Sequence, residues 1–270
     1  DLSLSGGVVE NNSNSNNITN NADSTKTNVD PQSGTSTIPI GTIIKNSPVS
    51  KKSEHVSLLV DDSQSVWNML MNSNKDHKKA IIVLDNCGLE LLCDLLCANT
   101  LLNNIIFDQI ELHCKSTPVF ISDALSKDIE ETISWLETNK FESLSSSLKA
   151  HLQNNKLIII DEIDFYTSPL PYADTPKVLV QRFSDADLVM IKGDANYRRL
   201  LGEKKWPMKT SFRDALSYFY DVNILALRTL KWPLAVGLSE DTINRAKNLI
   251  GDDWDICGRC GTIQFAERKK

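Results

Sequence analysis

The chain has 270 residues, 41% of them hydrophobic and 24% charged, with a formal net charge of −6 at pH 7. That composition suits a soluble enzyme with one sizeable core. The acidic balance, without a clustered basic face, argues against a nucleic-acid partner, and no apolar run reaches the ~20 residues of a membrane span.

Residues 1–7, Asp-Leu-Ser-Leu-Ser-Gly-Gly, read as the end of an upstream region. Residues 8–52 are rich in Asn, Ser and Thr, Asn11 to Asn21 above all. Such a segment cannot bury enough apolar surface to offset its ordering entropy, so a disordered insertion is expected there. The folded domain is expected over 53–270. It opens with helical spacing over Ser63–Leu70 and reaches its central feature at Ile81-Ile82-Val83-Leu84-Asp85-Asn86-Cys87-Gly88. Four apolar residues without alternation predict a strand buried on both faces. Gly88 then permits a tight turn. A helix follows through Leu102, with Leu92, Leu95 and Leu96 as its apolar stripe and Glu90 and Asp94 four apart on another face.

Further along, Gln109–Cys114 alternates as a strand and Pro118–Asp123 is another short apolar run. Lys127–Leu148 reads as a helix, with Ile129, Ile133, Leu136 and Leu144 inward. Lys156–Ile160 is a buried strand, and Phe165–Tyr172, rich in Pro and aromatics, is irregular. Asp187–Ile191 and Asn223–Leu227 are buried strands, and Leu234–Leu238 is a candidate sixth. Ser239 caps a helix to Ile250. Gly261–Phe265 closes the chain as an edge strand. Alternating strands and helices give an α/β class, a three-layer α/β/α sandwich with a mostly parallel central sheet.

Six cysteines are present, four of them (Cys87, Cys93, Cys97, Cys114) within apolar patterns where free Cys acts as a small hydrophobe. This favours a reducing compartment, hence the cytoplasm, with the nucleus as a second location. Cys257-Gly-Arg-Cys260 is a lone CxxC with no second pair or nearby His, and an ordinary structural role is the better reading.

Polar groups recur at strand ends: Asp85-Asn86, Asp123, Lys192-Gly193-Asp194, and Arg228 with Lys231. In open α/β sheets ligands bind beyond the carboxyl ends of strands. Hard oxygens there suit a divalent cation, and nearby Lys and Arg suit the anion it binds, the layout of phosphoryl transfer. Gly193 would let a phosphate approach backbone N–H groups. The plain alternative for Asp85 and Asn86 is that they cap the following helix.

Asp85-Asn86-x-Gly88-x-Glu90, Ser122-Asp123, Lys192-Gly193-Asp194-x-Asn196-Tyr197-Arg198 and Arg228-Thr229-x-Lys231 together resemble, in order, the motifs of the metal-dependent damage-control phosphatases. The last matches the Arg-Thr-x-Lys signature of their third subfamily, also described as acidic-residue or protein-glutamate O-methyltransferases. The resemblance covers residues 1–7 and 55–270. It implies a sandwich fold carrying Mn2+ or Ni2+, with Mg2+ and Co2+ as further candidates. Carried over by position, Asp85, Asn86 and Asp123 would ligate the metal and form the catalytic set. With Glu90, Asp194, Ala195, Asn196, Tyr197, Arg198 and Lys231 they would also hold the substrate, a sugar phosphate such as fructose 1-phosphate or fructose 6-phosphate. Lys192 and Arg228 join that set on charge. Family members carry a helical N-terminal domain, so this chain is expected to be the C-terminal part of a longer protein, with that domain as its partner.

The expected reaction is metal-dependent hydrolysis of a phosphate monoester by a metal-activated water, in preference to an Asp nucleophile. The first alternative is S-adenosylmethionine-dependent carboxyl methylation, for which Glu90 would contact the cofactor; no Gly-rich loop follows the first strand to support it. The second is a non-catalytic scaffold fragment whose insertion recruits partners. The phosphatase reading requires the carboxylates of residues 85 and 123 to meet on one rim of the sheet.

Overall fold

Unbroken apolar residues at 80–84 demand a strand covered from both sides, because neither set of alternating side chains can face water. The computed structural model, which describes residues 57–73, 76–219 and 221–269, has that arrangement. Ala80 and Ile82 enter one core, Ile81 and Val83 the opposite one, and none is more than 1% exposed. The readings for residues 1–7 and 8–52 lie outside the described residues.

The elements are β1 (Ser57–Asp61), α1 (Ser63–Met71), β2 (Lys79–Val83), α2 (Leu89–Asn103), β3 (Gln109–His113), α3 (Ser126–Thr138), α4 (Glu142–Gln153), β4 (Leu157–Ile160), α5 (Lys177–Asp185), β5 (Leu188–Lys192), α6 (Asp194–Leu201), α7 (Phe212–Ala215), β6 (Ile224–Thr229), α8 (Glu240–Ile250) and β7 (Cys260–Ala266). Short 3-10 turns occupy Asp164–Thr167 and Tyr172–Asp174. The seven strands form one sheet in the order β1-β7-β6-β5-β2-β3-β4. From β6 to β4 all neighbours are parallel; β7 runs antiparallel to β6, and β1 runs parallel to β7. Helices α1 to α4 bury their apolar stripes on one sheet face, while α5, α6, α7 and the aromatic turns Phe165, Tyr166 and Tyr172 cover the other. The result is a three-layer α/β sandwich.

The chain leaves β2 outward through β3 and β4, then returns to place β5 on the other side of β2. The switch point of the sheet therefore lies between β2 and β5. Diverging crossovers open a crevice there at the carboxyl ends of the strands.

Several expectations are corrected. Pro118–Asp123 is not a strand: β2 already pairs with β3 and β5, and Asp123 instead closes the segment as a turn by accepting the backbone N–H groups of Val119 and Phe120. Leu234–Leu238 is not a strand either, since β5 and β7 occupy both sides of β6. The carbonyls of Leu234 and Val236 are taken by the side chains of Arg228 and Gln264. β7 lies inside the sheet because β1, which the sequence reading omitted, adds outside it. The buried stripe of α2 is Leu91, Leu95, Ala98 and Leu102, so Cys93 and Cys97 turn to solvent rather than into the core. The cap at Ser239 is as expected, its hydroxyl accepting from Thr242 N at 3.1 Å.

Lys127–Leu148 splits into α3 and α4 at Asn139-Lys140, where Lys140 adopts φ +68°. Helices commonly end on such a left-handed residue, but usually on Gly; here, as after α2 and α4, the sequence supplies none, so the break leaves no signal. Exposed Lys140 carries a Cβ in a region that suits Gly. Lys140→Gly should therefore raise stability by about 1 kcal/mol, read as a higher denaturant midpoint at unchanged slope.

Candidate active site

The tip of β2 builds one wall of the crevice. Leu84 N still donates to His113 O of β3, but from Asp85 onward the chain pairs with the turn before α3. Ala124 N donates to Asp85 O at 2.9 Å, Cys87 N donates to Ser122 O at 2.8 Å, and Asn86 and Asp123 face each other in an isolated antiparallel bridge. Gly88 is the N-cap of α2, with φ +74° and no side-chain cap bond. Asp85 and Asn86 are thus not helix caps. Asn86 Nδ2 donates to Asp85 Oδ2 at 2.8 Å and to Glu90 Oε2 at 2.9 Å, while its Oδ1 accepts from Ser122 Oγ at 2.6 Å.

The tips of β5 and β6 build the other wall. Gly193 N donates to Leu227 O at 2.9 Å. A Cβ on Gly193 would lie 1.8 Å from Asp85 Oδ2. The expectation that this glycine clears space for a phosphate is corrected: the space holds Asp85, and the N–H is spent on the sheet. Asp194 opens α6 and accepts from Arg228 Nε at 2.8 Å and from Lys231 N at 3.2 Å. Arg228 is 5% exposed; its other nitrogens donate to the carbonyls of Leu234 and Trp232, and its Cζ lies 4.3 Å from the Tyr197 ring centroid.

These walls enclose a cavity of about 440 Å³. Asp85, Asn86, Glu90, Lys192, Asp194, Arg228 and Lys231 line it, over an apolar floor of Leu58, Leu227 and Ile263. Its charges are unevenly paired. Lys192 Nζ sits 2.8 Å from Asp94 and 3.2 Å from Glu90. Burial alone would lower its pKa, but Asp94 and Glu90 hold it up. Asp85 has no ion-pair partner among the described residues; burial, then the charge of Glu90, pushes its pKa up to about 6, with Asp123 adding to the rise and the charges of Lys115 and Lys192 opposing it. The side chain of Lys231 is also without a partner among the described residues and is exposed.

A family model described as the damage-control phosphatase ARMT1-like domain matches residues 44–245. The chain belongs to the ARMT1-like damage-control phosphatase family. Among curated relatives it is 33% identical over 220 residues to damage-control phosphatase ARMT1 of Mus musculus, which covers 77% of this chain and 49% of that protein. The Xenopus tropicalis relative of the same name is 33% identical over 221 residues, covering 77% of this chain and 50% of its own, and the Homo sapiens relative is 29% identical over 221 residues, covering 77% and 49%. The chain therefore spans about half the length of the curated relatives it matches.

Within this ARMT1-like domain the motif residues divide into two groups. Asp85, Asn86, Glu90, Lys192, Asp194, Arg228 and Lys231 share the cavity; Asp123, Ala195, Asn196, Tyr197 and Arg198 do not line it. Asn196 is buried and donates to Leu84 O and Lys192 O, tying α6 to the tips of β2 and β5. Tyr197 donates its OH to Gln264 Oε1 of β7 at 2.7 Å. Ala195 is half-buried in the first turn of α6. Arg198 pairs with Glu203 and lies 4.5 Å from the Trp232 ring centroid. Asp123 is held by Lys115. Lys115 was missed by the sequence reading, although it follows β3 much as Lys192 ends β5, and Asp94, read only as sharing a helix face with Glu90, is an ion-pair partner of Lys192.

Two outcomes are expected. Gly193→Ala forces Asp85 aside and strains φ, so it should remove any ligand binding that depends on Asp85 and destabilise the fold by about 2 to 4 kcal/mol. Asp85→Asn tests the buried charge. The folded carboxyl titrates near 6 and the unfolded one near 3.8. The native state thus binds the extra proton between those values, and wild-type stability falls as pH rises through that window. In the metal-free protein Asp85→Asn should match wild type near pH 4 and exceed it by about 2 to 3 kcal/mol at pH 7, measured by denaturant titration at both pH values.

Proposed function

We propose that this pocket hydrolyses phosphate monoesters with a bound divalent cation, acting on sugar phosphates of the fructose 1-phosphate and fructose 6-phosphate type. The observation that carries the reading is Asp85, a buried carboxylate with no cation partner among the described residues, at the switch point of the sheet. Burial, then the charge of Glu90, pushes that carboxyl up to about 6, and the charges of Lys115 and Lys192, neither of them in an ion pair with it, only partly offset the rise.

The donor set fits a hard cation. Among the described residues no three His, Cys, Asp or Glu side chains group to hold a metal, so the ligands would be two carboxylates and an amide. Asp85 supplies an anionic oxygen. Asn86 turns its NH2 toward Asp85, and exchanging the two ends of the amide presents its oxygen instead. Asp123 spends three of its roughly four acceptor positions on Lys115, Val119 N and Phe120 N, leaving one. Such oxygens suit Mn2+ and Mg2+, and Ni2+ and Co2+ among softer ions. When bound, the ion would polarise a phosphoryl oxygen and make a coordinated water more acidic.

The chain's own residues do the rest. Lys231 brings an unpaired ammonium to the phosphoryl group, where charge spreads over the oxygens. Asp194 fixes its backbone, and Arg228, buried against Tyr197, fixes Asp194. Glu90, half-exposed on the first turn of α2, has a carboxylate suited to accept from sugar hydroxyls. Lys192 is shared between two acids and so offsets their charge more than it attracts an anion.

The test is turnover of p-nitrophenyl phosphate and of both fructose phosphates by the purified chain with Mn2+ or Ni2+, before and after EDTA. Metal-dependent hydrolysis is expected, and Asp85→Asn or Lys231→Ala should each lower it by about 10²-fold or more. Turnover that survives complete chelation would overturn the reading.

A further inference from the structure

Lys115 follows β3 and is buried. Its ammonium lies 2.5 Å from Asp123 Oδ1, with 7% of the lysine side chain and 1% of the aspartate side chain exposed. Oδ2 of the same carboxylate accepts from Val119 N at 2.8 Å and Phe120 N at 2.7 Å. Neither member of the pair lines the cavity, but the turn they hold is hydrogen-bonded to Asp85 and Asn86, which do. Ser122 Oγ donates to Asn86 Oδ1, Cys87 N to Ser122 O, and Ala124 N to Asp85 O. One buried ion pair therefore fixes the segment that in turn fixes the tip of β2. Asp85, beside it, makes no direct ion pair among the described residues and feels the Lys115 charge only at longer range.

We propose that Lys115 is the resident counter-ion of the metal site, a positioning residue that keeps Asp123 and its turn in place when no divalent cation is bound and thereby weakens the affinity for one. This rests on the metal-dependent reading above. A buried carboxylate stripped of its partner is costly, and sites built only for a metal commonly come apart without it. Lys115 removes that dependence, because its charge is covalently part of the fold. The same charge has a consequence for the ion. A cation ligated by Asp123 must share that carboxylate with a fixed ammonium, and the two positive charges repel at short range in a poorly solvated site.

The experiment measures Mn2+ affinity by calorimetry, and melting temperature with and without Mn2+, for wild type, Lys115→Gln, Lys115→Arg and Asp85→Asn. Lys115→Gln keeps a donor for Asp123 and loses the charge. It should bind Mn2+ about 10-fold more tightly or better, melt below wild type without metal, and gain more than wild type when Mn2+ is added. Lys115→Arg keeps the charge and should bind near the wild-type level. A purely structural lysine would lower the metal-free melting temperature without tightening Mn2+, so unchanged or weaker affinity in Lys115→Gln overturns the proposal. Should that variant fail to fold without metal, added Mn2+ is expected to fold it; a variant that Mn2+ cannot fold counts against the proposal. Loss of Mn2+ binding in Asp85→Asn beside an unchanged Lys115→Gln sinks this inference and leaves the metal site standing. A wild type that binds no Mn2+ removes both.

Discussion

Asp85 is pressed against the Cα of Gly193 across the switch point of the sheet, and the rest of the site depends on that contact. A side chain at residue 193 would occupy the position of the carboxylate. The absent Cβ lets the tips of β2 and β5 close on each other, which buries the carboxylate and raises its pKa. Asn86 and Glu90 are then aligned by hydrogen bonds that start at Asp85. Asn196 repeats the clamp from the other side, bonding Leu84 O and Lys192 O with one amide.

Around this contact the charges are paired by neighbourhood rather than evenly. Asp123 has Lys115, Asp194 has Arg228, and Glu90 and Asp94 share Lys192. Asp85 and Lys231 line the same cavity without ion-pair partners among the described residues. Buried pairs add little net stability but are costly to break, so the paired residues act as a rigid frame. Asp85 and Lys231 stay outside that frame. Arg228 illustrates the distinction: it carries a motif position and borders the cavity, but its guanidinium is consumed by Asp194, two carbonyls and the Tyr197 ring.

Membership of the ARMT1-like family rests on residues 44–245, yet strand β7 lies beyond that match and still supports the motifs inside it. Its Gln264 accepts from Tyr197 OH and donates to Val236 O, and its Thr262 stands opposite Arg228 in the antiparallel ladder. With β1 it also supplies the apolar floor, Ile263 and Leu58. The frame of the site is therefore wider than the segment that identifies the family.

Sequence alone determined the layered α/β architecture, because short, β-branched apolar runs such as Ile81–Leu84, closed by polar and Gly residues, suit strands covered on both faces. It also located Asp85, Lys192, Asp194 and Arg228 at strand ends, since a charged group at the end of such a run must emerge at the rim of the sheet, but it placed Asp123 at the end of a strand that is a turn. It did not determine how those groups pair. Lys115 reaches Asp123 across a turn that reads as a strand until β2 is seen to have both neighbours already, and Gly193 reads as a phosphate cradle until Asp85 is found in the space. Helix ends at Lys140 and the pairing of β1 outside β7 were likewise hidden, the first because no glycine marks the break, the second because partners distant in sequence leave no local pattern. Tertiary structure decided which charges neutralise each other and which remain for a ligand, because that choice depends on distances between segments that only packing brings together.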